Sequence, residues 1–556
     1  MDAAFVLADE YWAYFHATQQ LFNIDRGDVD EVEHWDDFSP EGLAAEVQGL
    51  LSFADRAEAL ARAQPGDAAG ATLAAIAFSA RSTAVGRPWE RDRTLVSAPV
   101  GLAAVLPTLV PQYVLVTHRH GEGYLAKLAA FPGFVEGWVA GLRDGAAAGR
   151  VPTARGVEGT IERFQAMLAT DVADDALASQ DPPEEAIGAE ADLWRGRVQD
   201  LISNAVRPAI ARLCQFLRDE VVPVSRSDAE PGLCQLPAGE EAYASLLHAA
   251  TSTTLTADEI HDLGLEQLAR LDDEYRSVVG PLLGCDDPAV ARARLRDDLS
   301  LRYTTAAELV RDAEVVLARA QAASPAWFGR LPVAPCRAVA ADAGGLAYYC
   351  PPSPDGNRGG IFYFNVSDPS AWGRYQVEVT TFHEGVPGHH LQLALAQELN
   401  LHPVHSELPV PSYEEGWGLY AERLADEMGL YGSAMARLGM LASDSLRACR
   451  LVVDTGLHAR GWSRARAIEF LFDNAAMNRR LVEDEIDRYI SWPGQATSYM
   501  VGRLTLDRLR ADARARLGSR FDLRDFHDVV LGRGMMALDQ LALRVSDWIS
   551  NTLGDG

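Results

Sequence analysis

The chain has 556 residues, more than a single hydrophobic core serves, so two or more packed lobes are expected. Its 50 Lys and Arg against 79 Asp and Glu leave a net charge of −29, which repels phosphate backbones and anionic lipid surfaces and argues against nucleic acid or membrane as partners. The six cysteines (Cys214, Cys234, Cys285, Cys336, Cys350 and Cys449) have neither C-x-x-C nor disulfide-framework spacing, as expected of reduced thiols in the cytoplasm.

In chain order, the N-terminal MDAAFVLADEYWAYFH lacks a basic n-region and carries acids where an export signal is apolar. Residues 95–116 are apolar, but Pro99, Pro107 and Pro111 would break a spanning helix repeatedly, so buried loops and short helices are expected there. Apolar residues at three- and four-residue steps predict helices in AEVQGLLSFADRAEALARA and EIHDLGLEQLARLDDEYRSVV. The second opens on a capping box, Thr256 with Glu259. Residues 1–120 read as a helical region packing on the main body, 121–556. Surface connections are expected at 169–192, acidic with a double proline, and at 222–240, rich in Pro, Gly and Ser. The best strand is GGIFYFNVSD, where two glycines precede an aromatic and β-branched run. A mainly α fold with one small sheet beside the helical body follows, and beyond Asp368 the pattern returns to long helices.

The segment TFHEGVPGHHLQ carries the chemistry. Two histidines at i and i+4 on a helix lie about 40° apart and about 6 Å along the axis, so both imidazoles reach one ion. Here His383 and Glu384 open that pattern, but position 387 is Pro, and the next histidines are His389 and His390. On a regular helix neither would complete a chelate. Pro387 cannot donate to the carbonyl of His383, however, and Gly388 tolerates unusual dihedrals, so a bulge at 386–388 is expected. If it absorbs two residues, His389 takes the second ligand position. His390 needs three absorbed and stays as the alternative, oriented toward substrate or a supporting carboxylate.

An open catalytic zinc site uses three protein ligands, and the third is sought in SYEEGWGLYAE. Glu415 lies 26 residues after His389, room to finish one helix and enter another that crosses it. Glu422, seven residues on, shares its face and suits a role orienting a histidine N–H. Glu384, next to a ligand but not bound, is placed to take a proton from activated water and return it to a leaving amine.

These segments, HEGVPGHHLQ and EGWGLYAE, resemble the hallmark of the bacterial family known as domain of unknown function 885 (DUF885), H-E-x-x-P-G-H followed by E-G-W-x-x-Y-x-E. The resemblance runs from about Tyr124 to the C-terminus through GLRDGAAAGRVP, DEIHDLGLEQL, PDGNRGGIFYFN, DTGLHARGWSRARAIEFL and YISWPGQATSYMVG. It implies a distant likeness to the helical zinc peptidases typified by thimet oligopeptidase and carboxypeptidase Taq. A deep groove between two lobes and a glutamate ligand at the distance of Glu415 come with it.

Further candidates surround this centre. An oxyanion donor is sought in Tyr499, which matches an aromatic position of the family, or in His458, four residues after Asp454; a core tyrosine and a structural hydrogen bond are the plainer alternatives. Arg358, Arg447 and Arg450 are candidates for a substrate carboxylate, against ordinary surface solvation. Tyr363 and Asn365 lie on a strand that an extended peptide could join at a sheet edge, unless it is simply a buried strand. The expected activity is zinc-dependent hydrolysis of an amide bond in a small peptide or peptide-like metabolite. The alternatives are a lyase, isomerase or other tailoring step on a specialised metabolite, and a relative that only binds. The sequence carries no signal for oligomeric state.

Overall fold

The computed structural model describes residues 2–19, 33–63, 67–109, 113–283, 287–341, 346–353, 356 and 358–554. The first helices are α1 (Ala3–Thr18), α2 (Pro40–Ala63) and α3 (Asp67–Trp89). Leu7, Tyr11 and Phe15 recur at helical spacing on α1, and they share a core with Leu50 of α2 and Leu73 and Ile76 of α3. Val404 and Leu408 reach into this core, which ties the N-terminal helices to the C-terminal half.

A second core forms around α4 (His118–Ala147) and α5 (Ala154–Ala169). Tyr124, Phe131, Phe134 and Trp138 make one aromatic stripe along α4, and Phe164 of α5 joins them. Next comes α6 (Ala257–Leu283), whose capping box is present as read. The Glu259 N–H donates to Thr256 Oγ1 at 3.2 Å, and the Thr256 N–H donates to Glu259 Oε2 at 2.8 Å.

Among the described residues the sheet has three strands, β1 (Cys336–Ala341), β2 (Ala347–Cys350) and β3 (Gly360–Asn365), in the order β1-β3-β2. β1 runs parallel to β3 and β2 antiparallel. Phe362 and Phe364 face inward with Leu309 and Leu317 of α7 (Ala306–Ala323). GGIFYFN is therefore the central strand. Both its edges are paired, so of its two readings the buried strand holds and peptide addition to it does not.

The remaining helices used below are α8 (Gln376–Glu384), α9 (His389–Glu398), α10 (Pro411–Glu427), α11 (Ala434–His458), α12 (Arg479–Ser491) and α13 (Ser498–Leu517). α10 and α13 cross at two glycines: a Cβ on Gly416 would stand 2.6 Å from the Cα of Gly502. That close approach brings the start of α13 against the middle of α10. Among the described residues no helix is long and apolar enough to cross a membrane, and the chain at 102–109 forms only a short helix. Cys214, Cys234, Cys336 and Cys449 are free thiols; Cys285 lies outside the described residues.

Candidate metal centre

His383 is the penultimate residue of α8 and Glu384 its last. The helix stops there: Gly385–Gly388 form a turn with a cis Val386–Pro387 bond, and His389 opens α9. The bulge expected from Pro387 is thus a full break between two helices. Pro387 offers no N–H to continue the ladder, and Gly388 packs so tightly on the end of α8 that a Cβ would overlap the His383 carbonyl. The Pro387 carbonyl accepts from the Trp417 indole at 3.0 Å, which pins the turn to α10.

The break returns His389 to His383, with ring centroids 4.7 Å apart and planes nearly perpendicular. Glu415 of α10 faces both. Its Oε2 lies 3.4 Å from Nε2 of His383 and 3.5 Å from Nε2 of His389. One ligand atom from each of the three falls within 4.8 Å of the others. A tetrahedral ion bound at about 2.05 Å needs donors about 3.35 Å apart, so both measured separations fit the edges of such a site. His383, His389 and Glu384 are nearly buried, and Glu415 is partly open to solvent.

Behind the ring, the His383 Nδ1–H donates to Glu422 Oε1 at 2.8 Å, which leaves Nε2 as the nitrogen facing Glu415 and His389. Burial pushes the His383 imidazole down, but its bonds to Glu415 and Glu422 and the charge of Glu384 outweigh this and hold it at about 9. Burial likewise pushes the Glu415 carboxyl up, yet the two imidazoles hold it well below the usual carboxylate range. A metal entering here displaces the Nε2 proton of His383.

Tyr499, at the start of α13, lies over His383 with ring centroids 6.5 Å apart and planes 23° from parallel. The guanidinium carbons of Arg450 and Arg447 stand 4.5 and 5.7 Å from its ring centre. Burial and the nearby Glu415 carboxylate raise the Tyr499 hydroxyl against the pull of Arg450, Arg488 and Arg447, so it keeps its proton at neutral pH. Arg450 also donates to Tyr489 Oη and Glu485, each at 2.9 Å, and Arg447 to Ser443 Oγ at 2.7 Å. Three candidates from distant segments thus meet beside the histidines.

Others do not join them. His390 is fully buried: Tyr349 Oη–H donates to Nδ1 at 2.8 Å, and Nε2–H donates to the Ala334 carbonyl at 3.0 Å. Burial lowers its pKa to about 4. It is a neutral core histidine, which corrects its expected orientation toward substrate. His458 is corrected in the same way. Its Nδ1 accepts from the Leu233 N–H at 3.2 Å and its Nε2 donates to the Tyr489 carbonyl at 3.0 Å, so neither nitrogen is left for catalysis. Nor does it pair with Asp454, whose Oδ1 accepts from the Tyr243 hydroxyl and the Gly494 N–H. Arg358 is exposed and donates to the Pro351 carbonyl at 2.8 Å. Tyr363 stacks on Tyr348, and Asn365 Oδ1 accepts from Ser367, closing a local turn.

Gly418 escapes a search for reactive side chains. A Cβ there would stand 2.7 Å from Cε1 and 2.9 Å from Nε2 of His383, so its missing side chain makes room for the imidazole. The only signal is the pair of glycines around Trp417 in EEGWG, one on each flank of an anchor residue.

Residues 22–545 match the family described as "Bacterial protein of unknown function (DUF885)". Among curated proteins none matches the chain. A crystal structure described as that of "the putative lipoprotein from Colwellia psychrerythraea" is similar at 25% identity and a TM-score of 0.90, covering 98% of this chain and 99% of the other. A second, "a putative lipoprotein of unknown function from Shewanella oneidensis", shares the fold at 18% identity and a TM-score of 0.76, with coverage of 98% and 99%.

Proposed function

The chain belongs to the DUF885 family of bacterial proteins, and from that starting point we propose that it is a zinc-dependent hydrolase cleaving an amide bond in a small peptide or peptide-like metabolite. The observation that carries the reading is the placement of Glu415 Oε2 at tetrahedral edge lengths from both His383 Nε2 and His389 Nε2, with a second carboxylate, Glu384, beside them. These three side chains would hold the ion. A zinc ion there supplies Lewis acidity that polarises a carbonyl and makes water a competent nucleophile near neutral pH.

The chain's own groups do the rest. Glu384 takes the proton that water loses on attacking the carbonyl carbon and delivers it to the nitrogen as the C–N bond breaks. The protonated Tyr499 hydroxyl donates to the oxygen on which charge develops. Glu422 keeps His383 in the tautomer that presents Nε2. Arg447 and Arg450 support a substrate that brings an anionic group beside Tyr499, because Arg447 Nε and Arg450 Nη1 are buried without a hydrogen-bond partner. The acidic surface supports a small-molecule substrate over nucleic acid or a lipid surface. The free thiols of Cys214, Cys234, Cys336 and Cys449 support the cytoplasm as its compartment.

The test measures metal in purified wild type, His383→Ala and Glu384→Gln, then assays all three and Tyr499→Phe against a pooled peptide library. Stoichiometric zinc is expected in wild type, Glu384→Gln and Tyr499→Phe, with little in His383→Ala. Only wild type should cleave at full rate, with Tyr499→Phe slower by about 10²-fold. Zinc without cleavage of any peptide would turn the reading to a tailoring reaction, and a wild type that takes up no metal would end it.

A further inference from the structure

Far along the sequence from the metal ligands, a second polar cavity is built around Arg93. This arginine lies in the π-helical stretch Glu90–Thr94 that follows α3, and only 3% of it is exposed. Its Nη2 donates to the Ile490 carbonyl at 2.9 Å, while Nε and Nη1 have no partner. Ser97, 1% exposed, has an equally unpartnered hydroxyl. Both side chains line a cleft with Val96, Pro152, Thr153, Gly156, Ile490 and Ser491. No carboxylate is among these residues.

The cleft sits at the N-terminus of α5. Thr153 is the N-cap residue, yet its side chain caps nothing, and the Ala154 N–H is taken by the Arg226 carbonyl at 2.9 Å. The first-turn N–H groups of Arg155 and Gly156 have no acceptor within the helix, and the helix dipole places positive potential at this end. Arg226, whose backbone bridges to Thr153, lies outside the lining: its nearly buried guanidinium donates to the Val151, Pro231 and Gly232 carbonyls, with Nη2 unpartnered. Burial, and then the charge of Arg226, pull the Arg93 guanidinium well below its ordinary pKa. A buried guanidinium, a helix N-terminus and a spare hydroxyl thus meet at one cleft whose lining holds no carboxylate. An uncompensated buried charge is strongly disfavoured.

We propose that this cleft binds one small inorganic anion of halide size, chloride in the cell, held by Arg93, the Ser97 hydroxyl and the first turn of α5. Size decides the class. The cleft has room for one small particle, which suits a monatomic ion and not a phosphate group. The site joins three parts of the chain, residues 90–97, the start of α5 and the end of α12, so the anion staples the N-terminal region to the C-terminal half.

Thermal unfolding at constant ionic strength tests this, with sodium gluconate replaced stepwise by chloride or bromide, and separately by sulfate and phosphate. Wild type is expected to show a saturating rise in Tm with either halide, and Arg93→Met a Tm indifferent to them. Crystals of wild type grown in bromide should show an anomalous peak beside Arg93, a readout that does not depend on any variant folding. Indifference of wild type to halide, an equal response in Arg93→Met, or no bromide at Arg93 would each overturn the proposal. A response to sulfate or phosphate alone would overturn it as well, because the occupant would then be an oxyanion.

Discussion

Glu422 Oε1 accepts from the Nδ1–H of His383 at 2.8 Å, and from the same helix Glu415 faces the other nitrogen of that ring. Two carboxylates seven residues apart therefore grip one imidazole from both sides, and only the outer one has a place among metal ligands. Glu422→Gln keeps an acceptor at Nδ1 but removes the charge that makes His383 a better donor to the ion. Zinc affinity should fall by about 10- to 100-fold with the fold intact. Competition against a chromophoric chelator measures it, and unchanged affinity would remove Glu422 from the site.

Gly418 makes a sharper demand. Alanine is the better helix former by about 1 kcal/mol, so Gly418→Ala should not loosen α10. Its methyl group would instead press on the His383 ring, which Glu422 prevents from swinging aside. The variant should show an unaltered circular dichroism spectrum and a zinc content well below one per chain. Full zinc occupancy would mean that the ring yields and that glycine is not required there.

What the sequence revealed of this centre was local, and what it hid was tertiary. His383, Glu384, His389, Glu415 and Glu422 could be named because helix geometry fixes which residues share a face, and a proline announces where a helix fails. The form of that failure was less legible, since a bulge and a full break differ in contacts such as Trp417 to Pro387 that lie 30 residues apart. The surroundings of His390 and His458 were hidden for the same reason: Tyr349, Ala334, Leu233 and Tyr489 claim their nitrogens from distant segments, which for His458 is the structural role that stood as its plainer reading. GGIFYFN was legible as a strand. Its central position was not, because β1 and β2 are short and carry little pattern of their own.

The adjacent histidines separate ligand from core residue in one experiment. His389→Ala should abolish zinc binding at a smaller cost to the metal-free fold than the change at His390, since its buried Nδ1 makes no hydrogen bond and its Nε2 has only Glu415 at 3.5 Å to lose. His390→Ala should retain zinc but lose on the order of 2–4 kcal/mol, because it strands the Tyr349 hydroxyl and the Ala334 carbonyl and opens a cavity. Urea unfolding in chelator, beside metal analysis without it, reads both effects. A reversed pattern would make His390 the ligand.

Asp454 gives the fold a pH dependence of predictable sign. It is fully buried on α11, and its Oδ1 accepts from the Tyr243 hydroxyl at 2.6 Å and the Gly494 N–H at 2.9 Å. Burial outweighs both hydrogen bonds and pushes the carboxyl up to about 7. Its unfolded value is about 3.9, so between about pH 4 and pH 7 the folded chain holds a proton that the unfolded chain has released. The stabilisation from Asp454 is therefore complete at low pH and is lost as pH rises through 7. An amide at this position cannot ionise. The stability of Asp454→Asn relative to wild type should rise across this window, by roughly a few kcal/mol in total, and level off above it. Common contributions from other groups cancel in that difference, so urea titrations of both proteins at a series of pH values isolate the effect. Parallel profiles would show that Asp454 stays ionised throughout, and the turn at Gly494 that leads into α13 and Tyr499 would then be anchored by a carboxylate at every pH.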